Sequence, residues 1–189
     1  MKMSGLGELI SLVDEAVEKD TVEETVEAIK ADLCRLIRSG RIELPPEFTR
    51  PVEGRYARRL LHRDEARGYS IVVMTWGPGQ RTPIHDHSGM WCVEGVWGGS
   101  IDVQQYEIEE SDEAGRFRFG PRSSYEAGVG SAGCLIPPFE YHRISNACNE
   151  TTAVSLHIYG GEMEHCNVFE RQQDGTYVRR EKPLRYDDL

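Results

Sequence analysis

The chain has 189 residues, 29% charged and 39% hydrophobic, which is an ordinary composition for a soluble globular protein of one domain. Its formal net charge of −10 argues against non-specific nucleic-acid binding, which requires a basic surface. No apolar run approaches the roughly 18 residues of a membrane span, and the N-terminus does not resemble a signal peptide. We therefore expect a cytoplasmic protein, a monomer or weak homo-oligomer, with no nucleic-acid or membrane partner.

The first 40 residues have the pattern of two helices. Apolar side chains recur at helical spacing from Leu6 to Val17 and again from Val22 to Ser39. Gly40 is a typical stop signal after the second run, and Pro45-Pro46 opens an irregular stretch. The sequence therefore predicts a helical N-terminal segment over residues 1–45.

From Tyr56 onward the pattern changes to short β-rich runs separated by turn residues. These runs cover residues 69–76, 91–97, 101–108, 116–119, 133–136, 141–144 and 153–159. A further hairpin over residues 167–180 turns at Asp174-Gly175. This spacing is typical of an antiparallel sandwich or barrel. We expect a single domain over residues 1–189 whose β-barrel spans residues 56–180.

The five cysteines do not predict a disulfide framework. Their number is odd, their spacing is irregular, and no CxxC motif occurs. A structural zinc site is disfavoured for the same reasons. We interpret all but Cys92 as ordinary buried or half-buried thiols.

The placement of the histidines is the main functional signal. His85 and His87 flank Asp86 at the entry of a β-rich run, and alternate residues of a strand share one face. Their Cα atoms would lie about 7 Å apart, close enough for two imidazoles to converge on one metal ion. The alternative is a surface pair on an edge strand without a metal. His142 and His157, on later strands, favour the metal site.

The spacing of these residues resembles the two cupin motifs. The first motif is matched by Gly79, His85, His87 and Gly99, and the second by Pro137, His142 and Asn146. Cys92 occupies the position of the acidic ligand of the first motif. With a cysteine there, residues 56–161 are similar to the thiol dioxygenases of the cysteine dioxygenase family, in a bacterial form. The resemblance implies a mainly β fold, a small cupin (jelly-roll) β-barrel with N-terminal helices.

The same resemblance implies a set of site residues. His85, His87 and His142 match the ligands of an Fe(II) ion. An outer-sphere relay is matched by Ser155, His157 and Tyr159. For the relay, the alternative is a polar chain that only satisfies its own hydrogen bonds inside the barrel.

Two further matches concern the substrate and a covalent modification. Tyr56 and Arg58 match a Tyr-x-Arg segment whose arginine binds the substrate carboxylate, although a solvated arginine is the alternative. Cys92 matches the cysteine that forms a thioether with the relay tyrosine, here Tyr159, in some members. Its alternative is a small core residue.

The ligand set suits oxidation of a thiol. Three neutral imidazoles leave the iron with a 2+ charge and open positions, and the missing carboxylate makes the ion more ready to accept a thiolate. Adding both atoms of O2 to sulfur gives a sulfinic acid without an external reductant. The absence of a dinucleotide motif agrees with that chemistry.

The substrate signals conflict. Arg58 and Cys92 point to L-cysteine as substrate and cysteine sulfinic acid as product. The runs Trp76–Gln80 and Tyr159–Met163 resemble enzymes that convert 3-mercaptopropionate to 3-sulfinopropionate. We favour cysteine because Arg58 would contact the substrate directly. A cupin isomerase or decarboxylase with another metal, and a non-catalytic cupin sensor, remain as rival hypotheses.

Overall fold

The computed structural model describes residues 3–189, and three helices precede the strands. The helices are α1 (Leu6–Ala16), α2 (Val22–Arg38) and the short α3 (Pro46–Thr49). α2 begins at Thr21, whose hydroxyl accepts a hydrogen bond from the Glu24 amide, as an N-cap residue does. Within the predicted helical segment, α1 and α2 are present, and residues 1–2 lie outside the described residues. No helix of the described chain is both long and apolar enough to cross a membrane.

Eleven strands follow within the described residues. They are β1 (Ala57–Asp64), β2 (Tyr69–Trp76), β3 (Ile84–His85), β4 (Cys92–Gly98), β5 (Ser100–Ser111), β6 (Arg116–Gly128), β7 (Ala132–Leu135), β8 (His142–Asn146), β9 (Ala153–Tyr159), β10 (His165–Arg171) and β11 (Tyr177–Pro183). Each run predicted as β-rich contributes a strand. β6 is longer than the predicted run, because it pairs with β5 as far as Gly128. The hairpin of β10 and β11 turns at Gly175, whose φ of 84° suits glycine.

The strands form two antiparallel sheets. One has the order β1-β2-β9-β4-β7, and the other closes on itself in the order β10-β11-β6-β5-β8-β3. Closure leaves the second sheet without free edges. This arrangement confirms the expected mainly β jelly-roll fold with N-terminal helices.

The five-stranded sheet is buried on both faces. Along β2, Val73 lies in the apolar cluster with the helices, whereas Val72 and Met74 lie in the second cluster between the sheets. Alternation along β9 places Leu156 toward the helices and His157 toward the interior of the barrel. The inner faces of β4 and β9 therefore carry the polar side chains described below, while their outer faces hold α2.

Gly95 of β4 permits the close approach of α2. A Cβ atom at this position would lie 2.7 Å from Cδ2 of Leu33 and 3.1 Å from Cδ1 of Ile37. Leu33 itself is fully buried. The packing of α2 on β4 thus depends on a glycine on the strand and on a large side chain on the helix.

We expect Leu33→Ala to lower the free energy of unfolding by about 2–5 kcal/mol, since it leaves a cavity between α2 and β4. The exposed Arg35→Ala on the same helix should change it by no more than about 0.5 kcal/mol. Urea unfolding followed by circular dichroism measures both variants. Equal losses would contradict the assigned packing of α2.

Candidate metal centre and its pocket

Three histidine side chains converge inside the barrel. One ligand atom from each of His85, His87 and His142 lies within 4.8 Å of the other two. His85 in β3 is directly opposite His142 in β8. His87 lies beyond the end of β3, where its amide donates a hydrogen bond to Oε2 of Glu140 (2.7 Å). The expected pair therefore converges although only one member belongs to a strand.

The ring nitrogens are arranged as a metal site requires. Nδ1 of His85 is 3.2 Å from the Pro83 carbonyl oxygen, and Nδ1 of His142 is 3.0 Å from that of Glu140. A carbonyl accepts Nδ1–H and leaves Nε2 free to bind a metal. Within residues 3–189, Nε2 of His142 and both ring nitrogens of His87 are buried without a hydrogen-bond partner. Such atoms are rare in proteins, and a bound metal would satisfy them.

Burial also keeps two of the rings neutral. It lowers the pKa of His85 to about 3, with a further contribution from His142, and it lowers the pKa of His87 well below its usual value. Neutral imidazole is the form that binds a metal. Three imidazole nitrogens suit a divalent transition metal rather than a hard cation, which prefers oxygen donors.

The sequence analysis missed a carboxylate at this centre. Glu94 is only 7% exposed, and its Oε1 lies 3.4 Å from Nε2 of His142 and 4.0 Å from Nε2 of His87. It follows Cys92 by two residues, so both side chains share the inner face of β4. The motif spacing directed attention to Cys92 alone. The sequence does contain a signal for Glu94, because it is an ionisable residue in an apolar run, at the next position that faces the same side of the strand as Cys92.

The Glu94 carboxylate is ionised in this setting. Burial alone would raise the pKa of Glu94, but His142 and His157 outweigh it and hold the pKa well below its usual range. Burial alone would lower the pKa of His142. The charge of Glu94 outweighs burial, so the pKa of His142 is raised.

The side chains of Ser155, His157 and Tyr159 form one hydrogen-bonded chain on β9. Nε1–H of Trp76 donates to Oγ of Ser155 (2.9 Å), and Oγ of Ser155 is 2.7 Å from Nε2 of His157. Nδ1 of His157 is 3.4 Å from the Tyr159 hydroxyl and 3.2 Å from Oε1 of Glu94. Glu94 therefore shares the Nδ1 end of His157 with Tyr159.

Cys92 and Tyr159 are brought together by strand pairing. The two residues are directly opposite each other in β4 and β9, and both are buried. Cys92 Sγ also lies 3.9 Å from Oε1 of Glu94. Burial, and then the Glu94 charge, raise the pKa of the Cys92 thiol well above its usual value.

Arg58 is a buried cation in the same pocket. Its Nη2 donates to the Met163 carbonyl oxygen (2.8 Å), and its guanidinium lies 4.6 Å from the centre of the Tyr186 ring. In the part of the chain that the structure describes, no carboxylate oxygen lies within 4.0 Å of this guanidinium. A buried charge without a counter-charge is costly, so the pocket is suited to an anionic ligand.

The pocket is small and closed. Its cavity of about 20 Å³ is lined by Arg58, His85, Glu94 and Tyr159, among others. Tyr56, the other predicted substrate residue, also lines it and packs against Trp76 at a ring-centre distance of 4.8 Å. Such a volume holds about one water molecule.

A C-terminal strap, residues 184–187, closes the side of the pocket that holds Arg58. The Arg58 amide donates to Oδ2 of Asp187 (2.9 Å), and the Asp187 amide donates to the Arg58 carbonyl oxygen (2.7 Å). The Asp187 carboxylate also pairs with both terminal nitrogens of Arg55. These contacts hold Tyr186 beneath the Arg58 guanidinium.

Comparison with known proteins is consistent with this geometry. The family model described as cysteine dioxygenase type I matches residues 2–172. The chain is 24% identical over 173 residues to cysteine dioxygenase type 1 of Danio rerio, covering 91% of this chain and 82% of that protein. It is 23% identical over 118 residues to that of Rattus norvegicus, covering 62% and 57% respectively.

One solved structure with a similar fold is a conserved protein with a double-stranded β-helix domain from Klebsiella pneumoniae. Its TM-score is 0.46 at 18% sequence identity, and the alignment covers 65% of this chain and 92% of that one.

We expect His87→Ala to weaken binding of a divalent transition metal by more than about 100-fold, since even outer partners of such ligands contribute 10–100-fold. His165→Ala is the matched control, because that side chain is exposed. Competition with a chromophoric chelator measures the affinity, and thermal unfolding of the metal-free proteins checks folding. Unchanged affinity in His87→Ala would refute the site.

Proposed function

Because this chain belongs to the cysteine dioxygenase type I family, we propose that it is a cytoplasmic Fe(II)-dependent thiol dioxygenase. It would add both atoms of O2 to the sulfur of a small thiol carboxylate, most favourably L-cysteine, and release cysteine sulfinic acid. One observation supports this proposal above the others: three imidazoles that could hold a metal ion converge, and one of them, His85, lines a pocket with Arg58, a buried cation without a carboxylate partner among residues 3–189.

In this proposal, His85, His87 and His142 hold the iron. The iron supplies open coordination positions at which a thiolate and dioxygen can react. The hydrogen bonds of His85 and His142 to backbone carbonyl oxygens fix the rings so that Nε2 faces the centre.

Arg58 would bind the substrate carboxylate and so orient the thiol toward the histidines. Its guanidinium is already held by the Met163 carbonyl oxygen and the Tyr186 ring, so little side-chain freedom is lost on binding. Tyr56 would close the same side of the pocket, where its ring packs on Trp76.

The β9 relay would position the Tyr159 hydroxyl. Ser155 and His157 anchor one another at 2.7 Å, and His157 in turn approaches the hydroxyl of Tyr159. Tyr159 is buried, and burial raises the pKa of its hydroxyl well above the usual value. The hydroxyl therefore keeps its proton and can donate a hydrogen bond to the reacting oxygen or sulfur.

3-Mercaptopropionate is the alternative substrate, and the packing weakens one reason for it. A Cβ atom at Gly160 would lie 2.3 Å from Nε1 of Trp91, and Gly161 has a φ of 141°. The glycine pair therefore has an explanation in packing and backbone conformation that does not require a particular substrate. The match of Arg58 to the carboxylate-binding arginine of the family still favours cysteine as the substrate.

The proposal predicts oxygen uptake by the iron-loaded protein with a stoichiometry of one O2 per thiol. We expect a higher kcat/KM with L-cysteine than with 3-mercaptopropionate, and Arg58→Met should lower kcat/KM for cysteine by at least about 30-fold. That factor corresponds to about 2 kcal/mol, the lower end of the range for losing one partner of a buried charge pair.

Two controls make this experiment decisive. Cysteamine lacks the carboxylate, so its turnover should respond weakly to Arg58→Met. Arg63→Met removes an arginine that pairs with Glu162, a carboxylate outside the pocket lining, and should leave both thiols unaffected. Equal losses with cysteine and cysteamine would show that Arg58 does not bind the carboxylate. No uptake with any thiol would overturn the dioxygenase.

The opposed Cys92 and Tyr159 would form a thioether during turnover. The bond forms with loss of one hydrogen from the thiol and one from the ring, and dioxygen accepts the two electrons. We expect a second, faster band on a denaturing gel after turnover, and a cross-linked peptide lighter by two hydrogens. Cys92→Ala should give one band, whereas Cys166→Ala should keep two. An unmodified Cys92 peptide after many turnovers would contradict the modification.

A further inference from the structure

We propose that Glu94 is a fourth protein donor to the metal ion held by His85, His87 and His142. The proposal rests on the metal centre of the proposed function and not on the identity of the thiol. It also changes the role of His157, which becomes a positioning residue for the Glu94 carboxylate as well as for Tyr159.

Among the described residues, the charged neighbours of the Glu94 carboxylate are histidines. Within residues 3–189, no lysine or arginine nitrogen lies within 4.0 Å of this carboxylate, and its charged partners are His87, His142 and His157. The first two bind a metal only as neutral rings. Once they do, the positive charge that balances a buried carboxylate must come from the ion itself.

The distances from Oε1 of Glu94 to the histidine nitrogens suit a shared metal ion. Donor bonds of about 2.1 Å separate two donors on one metal by about 3.0 Å at a right angle and about 4.2 Å when opposite. The separations of Glu94 Oε1 from Nε2 of His142 (3.4 Å) and of His87 (4.0 Å) fall between these limits. The carboxylate oxygen therefore lies within reach of an ion that is shared with His87 and His142.

A chain of hydrogen bonds through His157 orients the Glu94 carboxylate. Ser155 Oγ receives the indole N–H of Trp76, and its own hydroxyl hydrogen is free to donate to Nε2 of His157. His157 then carries its proton on Nδ1, which lies 3.2 Å from Oε1 of Glu94. Carboxylates that bind metals are themselves held by such hydrogen bonds.

The test measures metal binding without thiol and without oxygen. Glu94→Gln should weaken Co(II) and Fe(II) binding by about 10–100-fold, as judged by chelator competition, and should alter the visible absorption of the Co(II) protein. That spectrum reports the donor set and would not respond to a purely structural role. Wild-type affinity together with a wild-type spectrum in Glu94→Gln would overturn the proposal.

Two further variants separate coordination from charge. Glu94→Asp keeps the charge but is one methylene shorter, so it should also lose affinity and change the spectrum. It serves as the deciding variant if Glu94→Gln does not fold. Glu162→Gln removes a carboxylate that pairs with Arg63 outside the pocket lining and should leave the spectrum unchanged. Wild-type behaviour of Glu94→Asp would assign Glu94 an electrostatic role and refute coordination.

The outcome is distinguishable from failure of the proposed function. A protein that binds metal through Glu94 but consumes no oxygen with any thiol retains this inference and loses the dioxygenase. A protein that oxidises thiols while Glu94→Gln binds metal normally retains the dioxygenase and loses this inference.

Discussion

The register between β4 and β9 determines which groups meet at the centre of this protein. It sets Cys92 against Tyr159 and Glu94 against His157. Because side chains alternate along a strand, a slip of β4 by one residue would turn Cys92 and Glu94 away from the barrel interior. It would also place Val93, which now packs toward the helices, into the polar pocket. Burial of the apolar outer face thus enforces the geometry of the polar inner face.

The pocket separates two buried charges of opposite sign. Glu94 lies among the histidines, whereas Arg58 lies between the Met163 carbonyl and the Tyr186 ring. No nitrogen of the Arg58 guanidinium lies within 4.0 Å of a Glu94 carboxylate oxygen, so Glu94 and Arg58 do not form an ion pair. Had they paired, each would have satisfied the other and the pocket would need no ligand. Their separation leaves one end suited to a cation and the other to an anion. A ligand with a metal-seeking group and a carboxylate matches that polarity.

Much of this architecture was predictable from local patterns. Helical spacing identified α1 and α2, and β-rich runs between turn residues identified most strands, because both signals depend on near neighbours in the chain. The histidine pair was predictable for the same reason. The position of His142 opposite His85 required the motif resemblance, since their pairing in β3 and β8 joins distant parts of the chain.

Other features depended on contacts that sequence does not display. Glu94 was not predicted, because the acidic position of the cupin motif falls on Cys92. Only the alternation of side chains along β4 places Glu94 beside His142. The Gly160-Gly161 pair suggested a substrate preference, but the Trp91 ring accounts for Gly160 by packing. The strap that holds Arg58 had no recognisable pattern, because Asp187 contacts Arg55 and Arg58 across about the whole length of the barrel sequence.

The contact of Gly95 with Leu33 gives the N-terminal helices a mechanical role. Gly95 follows Glu94 directly, so α2 presses on the outer face of β4 at the point where its inner face carries the carboxylate. A larger side chain on the helix side would force a backbone shift in β4 beside this carboxylate. Substitutions on α2 and in the barrel should therefore be constrained together, although the helix contributes no side chain to the pocket lining.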